Sequence, residues 1–282
     1  MIHINSQRVQ IVPFPNGESK IILPEIDPGQ NASVKLQYES DADLFHLYLV
    51  KKELDEIGTA YTPLDVHYFP YSRMDRKQGQ ELFTLKHVAA FINQLNFSAV
   101  HIHEPHSDVT PALLDRVRVH DMSVHLFNHY FKDIAGLYHD SLPYFQDNDV
   151  VVFPDSGAQK RYGHQIKERH VLVGHKHRDW KTGDILSLEL IGDVPVDGRA
   201  VIIDDLSSYG GTFMHTGNKL KEMGFKEVYL VVAHAEKSIL ERGLLDEDSP
   251  IDKVFTTNSI ISKEDLKWKA SAYRDKIEIT NY

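Results

Sequence analysis

An α/β fold of two domains follows from three features of this 282-residue sequence. Short, largely apolar runs rich in β-branched and aromatic residues recur along it, each bounded by polar or turn residues. Longer amphipathic stretches alternate with these runs, the order expected of parallel strands joined by helical crossovers. The length suits two domains of roughly 150 residues each.

The elements can be taken in order. Phe14-Pro15-Asn16-Gly17-Glu18 predicts a hairpin turn, because Asn-Gly favours the left-handed backbone that tight turns need. Residues 41–56 set Leu44, Leu47, Leu49 and Leu54 among charges and predict a helix. Residues 84–95 carry Leu85, Val88, Phe91, Ile92 and Leu95 on one helical face, and 211–223 carry Phe213, Leu220 and Met223. Strands are predicted at 65–69, 99–102, 150–153, 200–203 and 227–232. Their nearly unbroken apolar character predicts burial on both faces of a parallel sheet. Residues 140–149 are polar, contain a proline and read as a linker, giving domains at 1–140 and 141–282. Residues 182–190, followed by a turn-rich stretch to Gly198, predict a projecting hairpin before the next core strand.

Composition narrows the function classes. The chain is 41% hydrophobic and 26% charged, which suits a globular core. Its formal net charge of -10, with no basic run, argues against nucleic acid as a partner. The absence of cysteine excludes disulfides, thiolate catalysis and cysteine-bound metal. The first ten residues are mixed and polar, so no signal peptide is expected. No apolar run approaches the roughly 20 residues that span a bilayer. The expectation is a soluble, cytoplasmic protein without a membrane partner.

The strongest local signal is Val201-Ile202-Ile203-Asp204-Asp205-Leu206-Ser207-Ser208-Tyr209-Gly210-Gly211-Thr212. A buried strand ends in two carboxylates, then paired glycines and a threonine open a helix. Such a turn presents backbone N–H groups and the positive helix end to an anion, while the acids can accept hydrogen bonds from vicinal hydroxyls. A sugar phosphate fits that combination; an ordinary strand-loop-helix with Thr212 as cap is the alternative. Pro70-Tyr71-Ser72-Arg73-Met74-Asp75-Arg76-Lys77 delivers three cations around one acid, and guanidinium forks suit the phosphates of a nucleotide. A solvated charge cluster is the alternative there.

The loop with Asp204, Asp205, Gly210, Gly211 and Thr212 resembles the phosphoribosyl pyrophosphate loop of phosphoribosyltransferases and ribose-phosphate pyrophosphokinases, with Ser208 and Tyr209 in place of that pattern's Asp-Thr. The segment 70–76 resembles the Pro-Tyr-x-Arg-x-Asp-Arg signature that separates the pyrophosphokinases from the transferases. Further segments follow in that family's order: Phe14 to Glu18, Glu104-Pro105-His106-Ser107, Pro154-Asp155-Ser156-Gly157 and Lys176-His177-Arg178. The sequence is therefore similar to ribose-phosphate pyrophosphokinases over most of its length.

The resemblance implies two phosphoribosyltransferase-like domains, each a parallel sheet flanked by helices, and a β-hairpin flap. It implies transfer of the β,γ-pyrophosphoryl group of Mg-ATP to the C1 hydroxyl of a 5-phosphorylated ribose, with AMP released. Phe14, Asn16, Glu18, Arg73, Met74, Asp75 and Arg76 would bind ATP; Lys176, Arg178 and Arg73 would serve catalysis; His106 and Asp155 would contact Mg2+. Asp204, Asp205, Ser208, Tyr209, Gly210, Gly211 and Thr212 would hold the ribose and its phosphate. Subunits of the family pair across the ATP site, so a homo-oligomer, at least a dimer, is implied.

Several departures qualify the match. The family's usual first strand and helix, and its closing helix, are expected to be missing. Residues 78–83 stand where the family has a longer catalytic loop, Met74 replaces a Gln and Asn16 an Asp. Ser208-Tyr209 alters the acceptor end. The acceptor is expected to be ribose 5-phosphate or, with an opened loop, ADP-ribose, whose product would be ADP-ribose pyrophosphate for rebuilding NAD. A non-catalytic regulatory relative and an ordinary phosphoribosyltransferase are the remaining alternatives; retention of Lys176, Arg178, Asp155, Asp204 and Asp205 argues against the first and the 73–76 signature against the second.

Overall fold

The computed structural model describes residues 1–132, 145–178, 185–269 and 271–282; the side chains at 176–178, 185–187 and 272 fall outside this description. The chain divides into two compact units, Met1–His120 and Asp121–Tyr282.

The first unit contains β1 (Ile2–Ile4), β2 (Gln7–Arg8), β3 (Gln10–Pro13), β4 (Ser19–Ile22), β5 (Val34–Leu36), α1 (Ala42–Ile57), β6 (Leu64–Val66), α2 (Thr84–Gln94), β7 (Val100–His103), α3 (Val109–Leu113) and β8 (Val117–His120). Its main sheet has the order β2-β1-β5-β6-β7-β8. Strands β5 to β8 are parallel, while β1 runs antiparallel to β2 and β5. Strands β3 and β4 form the separate hairpin expected around Asn16-Gly17.

These strands alternate strictly. Ile2, Ile4, Val34, Leu36, Leu64, Val66, Val100 and Ile102 point into one core, where Leu47, Val50 and Leu54 of α1 and Leu85, Val88 and Ile92 of α2 meet them. Truncating a fully buried leucine such as Leu54 to alanine costs about 2–5 kcal/mol. The opposite face carries the cross-strand row His3, Lys35, Asp65, His101 and Arg118. The expectation of two buried apolar faces is therefore corrected for 65–69 and 99–102: one face of this sheet is polar. The first of these strands is also shorter than expected, running from Leu64 to Val66.

The second unit contains α4 (Met122–Phe131), β9 (Val150–Phe153), α5 (Ser156–Tyr162), β10 (Val171–Arg178), β11 (Ile185–Ile191), β12 (Ala200–Ser207), α6 (Gly211–Met223), β13 (Val228–Ala235), β14 (Lys253–Thr257), α7 (Ser271–Asp275) and β15 (Ile277–Thr280), with short 3-10 turns at Lys237–Leu240 and Lys263–Leu266. The sheet order is β11-β10-β9-β12-β13-β14-β15, all parallel except the β10–β11 pair. Here the strands are buried on both faces, as the uninterrupted runs VVVF and AVII predict. Phe213 and Leu220 of α6 cover Val150, Val152, Ile202 and Leu230 on one side. Val124, Phe127 and Phe131 of α4, with Tyr162 of α5, cover Val151, Phe153, Val201 and Ile203 on the other.

Helix α4 explains where the chain divides. Its apolar side belongs to the second sheet, so the second unit begins at Asp121 rather than after the expected 140–149 linker, of which 140–144 lie outside the described residues. The hairpin expected over 182–190 is β11 paired with β10; residues 182–184 lie outside the description.

Candidate active site

The second unit gathers a cluster of carboxylates and a guanidinium at the C-terminal end of β12. Asp204 and Asp205 lie in the C-terminal half of that strand, before the chain leaves for α6. Burial pushes the Asp204 carboxyl well above the ordinary carboxylate range, and the neighbouring Asp205 and Asp155 carboxylates push it further. The N–H of Asp205 offsets part of this by donating to Asp204 Oδ1 at 2.9 Å. Asp205, only 7% exposed, is paired with Arg161 of α5, Nη1 to Oδ2 3.0 Å. That pairing, together with the field of Tyr162, more than offsets the burial that would otherwise lower the Arg161 pKa, so this guanidinium stays charged. Ser123, fully buried at the start of α4, locks the strand end: it donates to the Asp204 carbonyl at 2.7 Å and accepts from the Ala233 N–H at 3.1 Å.

Asp155 reaches the same cluster from the end of β9. It caps α5, accepting the Ala158 N–H at 3.0 Å, so its capping role is real, and it also bears on Asp204. A backbone contact sets its place: a Cβ at Gly174 on β10 would lie 2.4 Å from the Pro154 carbonyl oxygen, so only glycine lets the two segments approach this closely. Lys176 and Arg178 lie on β10 after Gly174, paired with Leu188 and Ile185 of β11; their side chains are outside the description.

After β12 the chain turns through Ser208, Tyr209 and Gly210 into α6. Gly210 has φ +80°, and a Cβ there would come within 2.7 Å of Leu244 Cδ2. Its carbonyl accepts the N–H groups of Phe213 and Met214, each at 2.9 Å. The N–H groups of Gly211 and Thr212, at the first helical positions, have no intrahelical acceptor. Ser208 Oγ lies 3.1 Å from Ser238 Oγ. Tyr209 is 40% exposed, with the Arg242 guanidinium 4.0 Å from its ring centre.

The first unit presents its expected nucleotide residues on two exposed turns. Phe14, Asn16 and Glu18 sit at the tip of the β3–β4 hairpin, with Asn16 Nδ2 donating to Glu18 at 2.9 Å and Phe14 47% exposed. Arg73, Met74, Asp75 and Arg76 lie between β6 and α2; Arg73, Met74 and Arg76 are exposed and Asp75 half-buried. Tyr71 enters this turn with φ +61°, uncommon outside glycine, and its hydroxyl donates to Asp41 Oδ1 at 2.6 Å. Tyr38 donates to the same oxygen at 2.6 Å. These two bonds hold the Asp41 carboxyl below the usual range. His106, partly buried, follows the C-terminal end of β7.

The row on the polar sheet face continues at that end. His103 Nε2 lies 2.6 Å from Asp65 Oδ1, and His101 Nδ1 lies 2.9 Å from His120 Nε2. Burial pushes the Asp65 carboxyl up, but the His103 hydrogen bond and the charges of His103, His67 and Lys35 outweigh it and hold the group below the usual range.

The fold brings Asp155, Asp204 and Asp205, singled out from the sequence, close together, and adds Arg161 and Ser123 beside them and Arg242 at Tyr209. Arg161 could have been found from its position in the short helix that Asp155 caps. Ser123 and Arg242 arrive from distant segments, and no local pattern marks them.

Comparison with known proteins points to a resemblance over most of the chain. No protein-family profile matches the chain. It is 25% identical over 266 residues to a protein named ribose-phosphate pyrophosphokinase from Pyrococcus abyssi, covering 92% of this chain and 86% of that one. Proteins of the same name from Sulfolobus acidocaldarius and Thermococcus kodakarensis are each 27% identical, over 88% and 89% of this chain and 82% and 85% of theirs. The crystal structure of phosphoribosylpyrophosphate synthetase from Mycobacterium smegmatis superposes with a TM-score of 0.74 at 22% identity, over 97% of this chain and 86% of that one, and shows the shared fold.

Proposed function

We propose that this chain, a relative of the ribose-phosphate pyrophosphokinases, is a transferase of that type, moving the β,γ-pyrophosphoryl group of ATP to the C1 hydroxyl of a 5-phosphorylated ribose. The observation that carries the reading is the end of β12, where Asp204 and Asp205 stand directly before a glycine turn and a helix N-terminus. A ribose phosphate needs both features: carboxylates for its hydroxyls and N–H groups for its phosphate.

In the reaction, the C1 oxygen bonds to the β-phosphorus, the bond from that phosphorus to the α,β-bridging oxygen breaks, and AMP leaves with that oxygen. The C1 hydroxyl proton passes to solvent or a base. Chemistry of this kind depends on positioning and charge neutralisation more than on covalent participation. Asp204 grips the ribose hydroxyls, and Asp205, fixed by Arg161, sets the second contact. The N–H groups of Gly211 and Thr212 hold the 5-phosphate, with Ser208 and Gly210 shaping the turn. Arg73 and Arg76 bind ATP phosphates, Asp75 orients them, and Phe14, Asn16, Glu18 and Met74 meet the nucleoside. Lys176 and Arg178 neutralise the transferring group and the leaving oxygen.

Mg2+ supplies charge neutralisation on the ATP phosphates when bound. It is usually held by one or two carboxylates plus substrate phosphates, which suits Asp155, an oxygen donor beside a carboxyl already crowded by its neighbours. His106 is the candidate Mg2+ contact of the first unit. Exposed apolar residues on the hairpin and on α1 (Val12, Phe14, Ile22, Phe45, Tyr48 and Leu49) support self-association as at least a dimer. Among the described residues no helix is long and apolar enough to cross a membrane, and the proposed setting is the cytoplasm.

Ribose 5-phosphate is the simplest acceptor, giving phosphoribosyl pyrophosphate for nucleotide biosynthesis. A second acceptor is favoured by Tyr209, which stands 40% exposed on the phosphate turn: a ribose whose 5-phosphate continues into another group, as in ADP-ribose, giving ADP-ribose pyrophosphate for NAD resynthesis. The test is AMP release from Mg-ATP with either acceptor, with Lys176→Ala as control. Acceptor-dependent AMP, lost in the variant, is expected. Nucleotide binding without AMP from either acceptor would leave only a regulatory role.

A further inference from the structure

We propose that Arg242, whose guanidinium sits over the Tyr209 ring, is a specificity-determining residue that recognises a second phosphate attached to the acceptor's 5-phosphate. The inference rests on the acceptor site proposed above and assigns that site's substrate class as a diphosphate-linked ribose.

The turn between β12 and α6 is gripped by the segment after β13 at successive points. Ser238 meets Ser208, Leu244 fills the space beside Gly210, and Arg242 covers Tyr209. The same segment that fixes the backbone of the phosphate turn thus carries the guanidinium. At 4.0 Å from the ring centre, Arg242 makes a close cation–aromatic contact. Tyr209 and Arg242 are both exposed, and among the described residues no carboxylate forms an ion pair with Arg242. Arg161, by contrast, is committed to Asp205.

A guanidinium resting over a ring keeps its N–H donors available, and the contact holds a long side chain in place before any ligand arrives. Those donors match phosphate oxygens. The chain's net charge of -10 supplies no general attraction for anions, so a placed cation beside the turn has local meaning. A terminal 5-phosphate is already served by the N–H groups of Gly211 and Thr212. The added cation at Tyr209 suits charge beyond it. One face of the ring is taken by the guanidinium, so the extension is read through charge by Arg242 rather than through stacking of a base on that face.

The test is calorimetric titration of the full-length protein with Mg2+, using ADP-ribose and ribose 5-phosphate as probes, on the natural protein, Arg242→Gln and Arg242→Lys. Arg242→Gln is expected to weaken ADP-ribose binding at least about tenfold and ribose 5-phosphate less than about threefold, with Arg242→Lys recovering part of the loss. Equal loss for both probes, no loss for either, or failure of the natural protein to bind ADP-ribose would overturn the assignment. AMP release measured on the same samples judges the transferase reading separately. The expected binding pattern without AMP would leave Arg242 as the diphosphate reader and remove the pyrophosphokinase.

Discussion

The sheets of the two units solve the same packing problem differently. In the second unit, β9, β12 and β13 are apolar on both sides and sandwiched between α6 and the α4–α5 pair. In the first, β1, β5, β6, β7 and β8 turn one apolar face to α1 and α2 and carry His3, Lys35, Asp65, His101 and Arg118 across the other. A strand buried on both sides has no room for a polar residue until it ends, so the first carboxylates of β12, Asp204 and Asp205, appear where it opens. A strand with one polar face can carry charge along its whole length. Position within the strand thus separates the proposed site acids of the second unit from Asp65, paired with His103, in the first.

Substitutions can break or sharpen that contrast. The largest effect is expected at Ile202, fully buried in β12: Ile202→Ala should cost about 2–5 kcal/mol in denaturant unfolding, whereas exposed Arg118→Ala on the polar row should cost less than about 0.5 kcal/mol. Comparable losses would erase the contrast. Arg161→Met leaves Asp205 buried without its cation and should cost about 2–3 kcal/mol, with Arg161→Lys recovering part.

Asp65→Asn comes next, at about 1 kcal/mol near neutral pH. The sign follows from the depressed carboxyl: its stabilisation is present above the ordinary carboxylate pKa and is lost as pH falls through the lower folded value. The gap between Asp65→Asn and the natural protein should therefore close below about pH 4, and a gap that widens in acid would refute the Asp65–His103 assignment. The smallest effect runs the other way. Asp204→Asn relieves carboxylate crowding and should raise Tm by a few degrees, on the order of 1 kcal/mol, while abolishing acceptor-dependent AMP formation. A lower Tm would show that Asp204 stabilises the fold.

The same contrast governed what the sequence could reveal. The runs 150–153 and 200–203, buried on both faces, stood out as strands, and helix 211–223 was legible to its ends because the glycine turn and Gly224 bracket it. In the first unit, Ile-His-Ile and Val-Lys-Leu are strands too short for any periodicity to announce them. The polar, proline-bearing stretch at 140–149 is visible in the sequence, whereas the docking of α4 onto the second sheet, which sets the division at Asp121, is a tertiary fact. Of the proposed site, the contiguous stretch from Asp204 to Thr212 forms a local sequence pattern. Ser123, Arg161 and Arg242 are not part of it, since each acts through a contact made by folding.

Phosphorus NMR of the reaction with Mg-ATP and a 5-phosphorylated ribose tests the central claim most directly. The account predicts equal amounts of AMP and a new diphosphate ester at C1, with no free pyrophosphate, and none of either from Asp204→Asn. Formation of ADP, or of AMP with free pyrophosphate and no C1 ester, would contradict it.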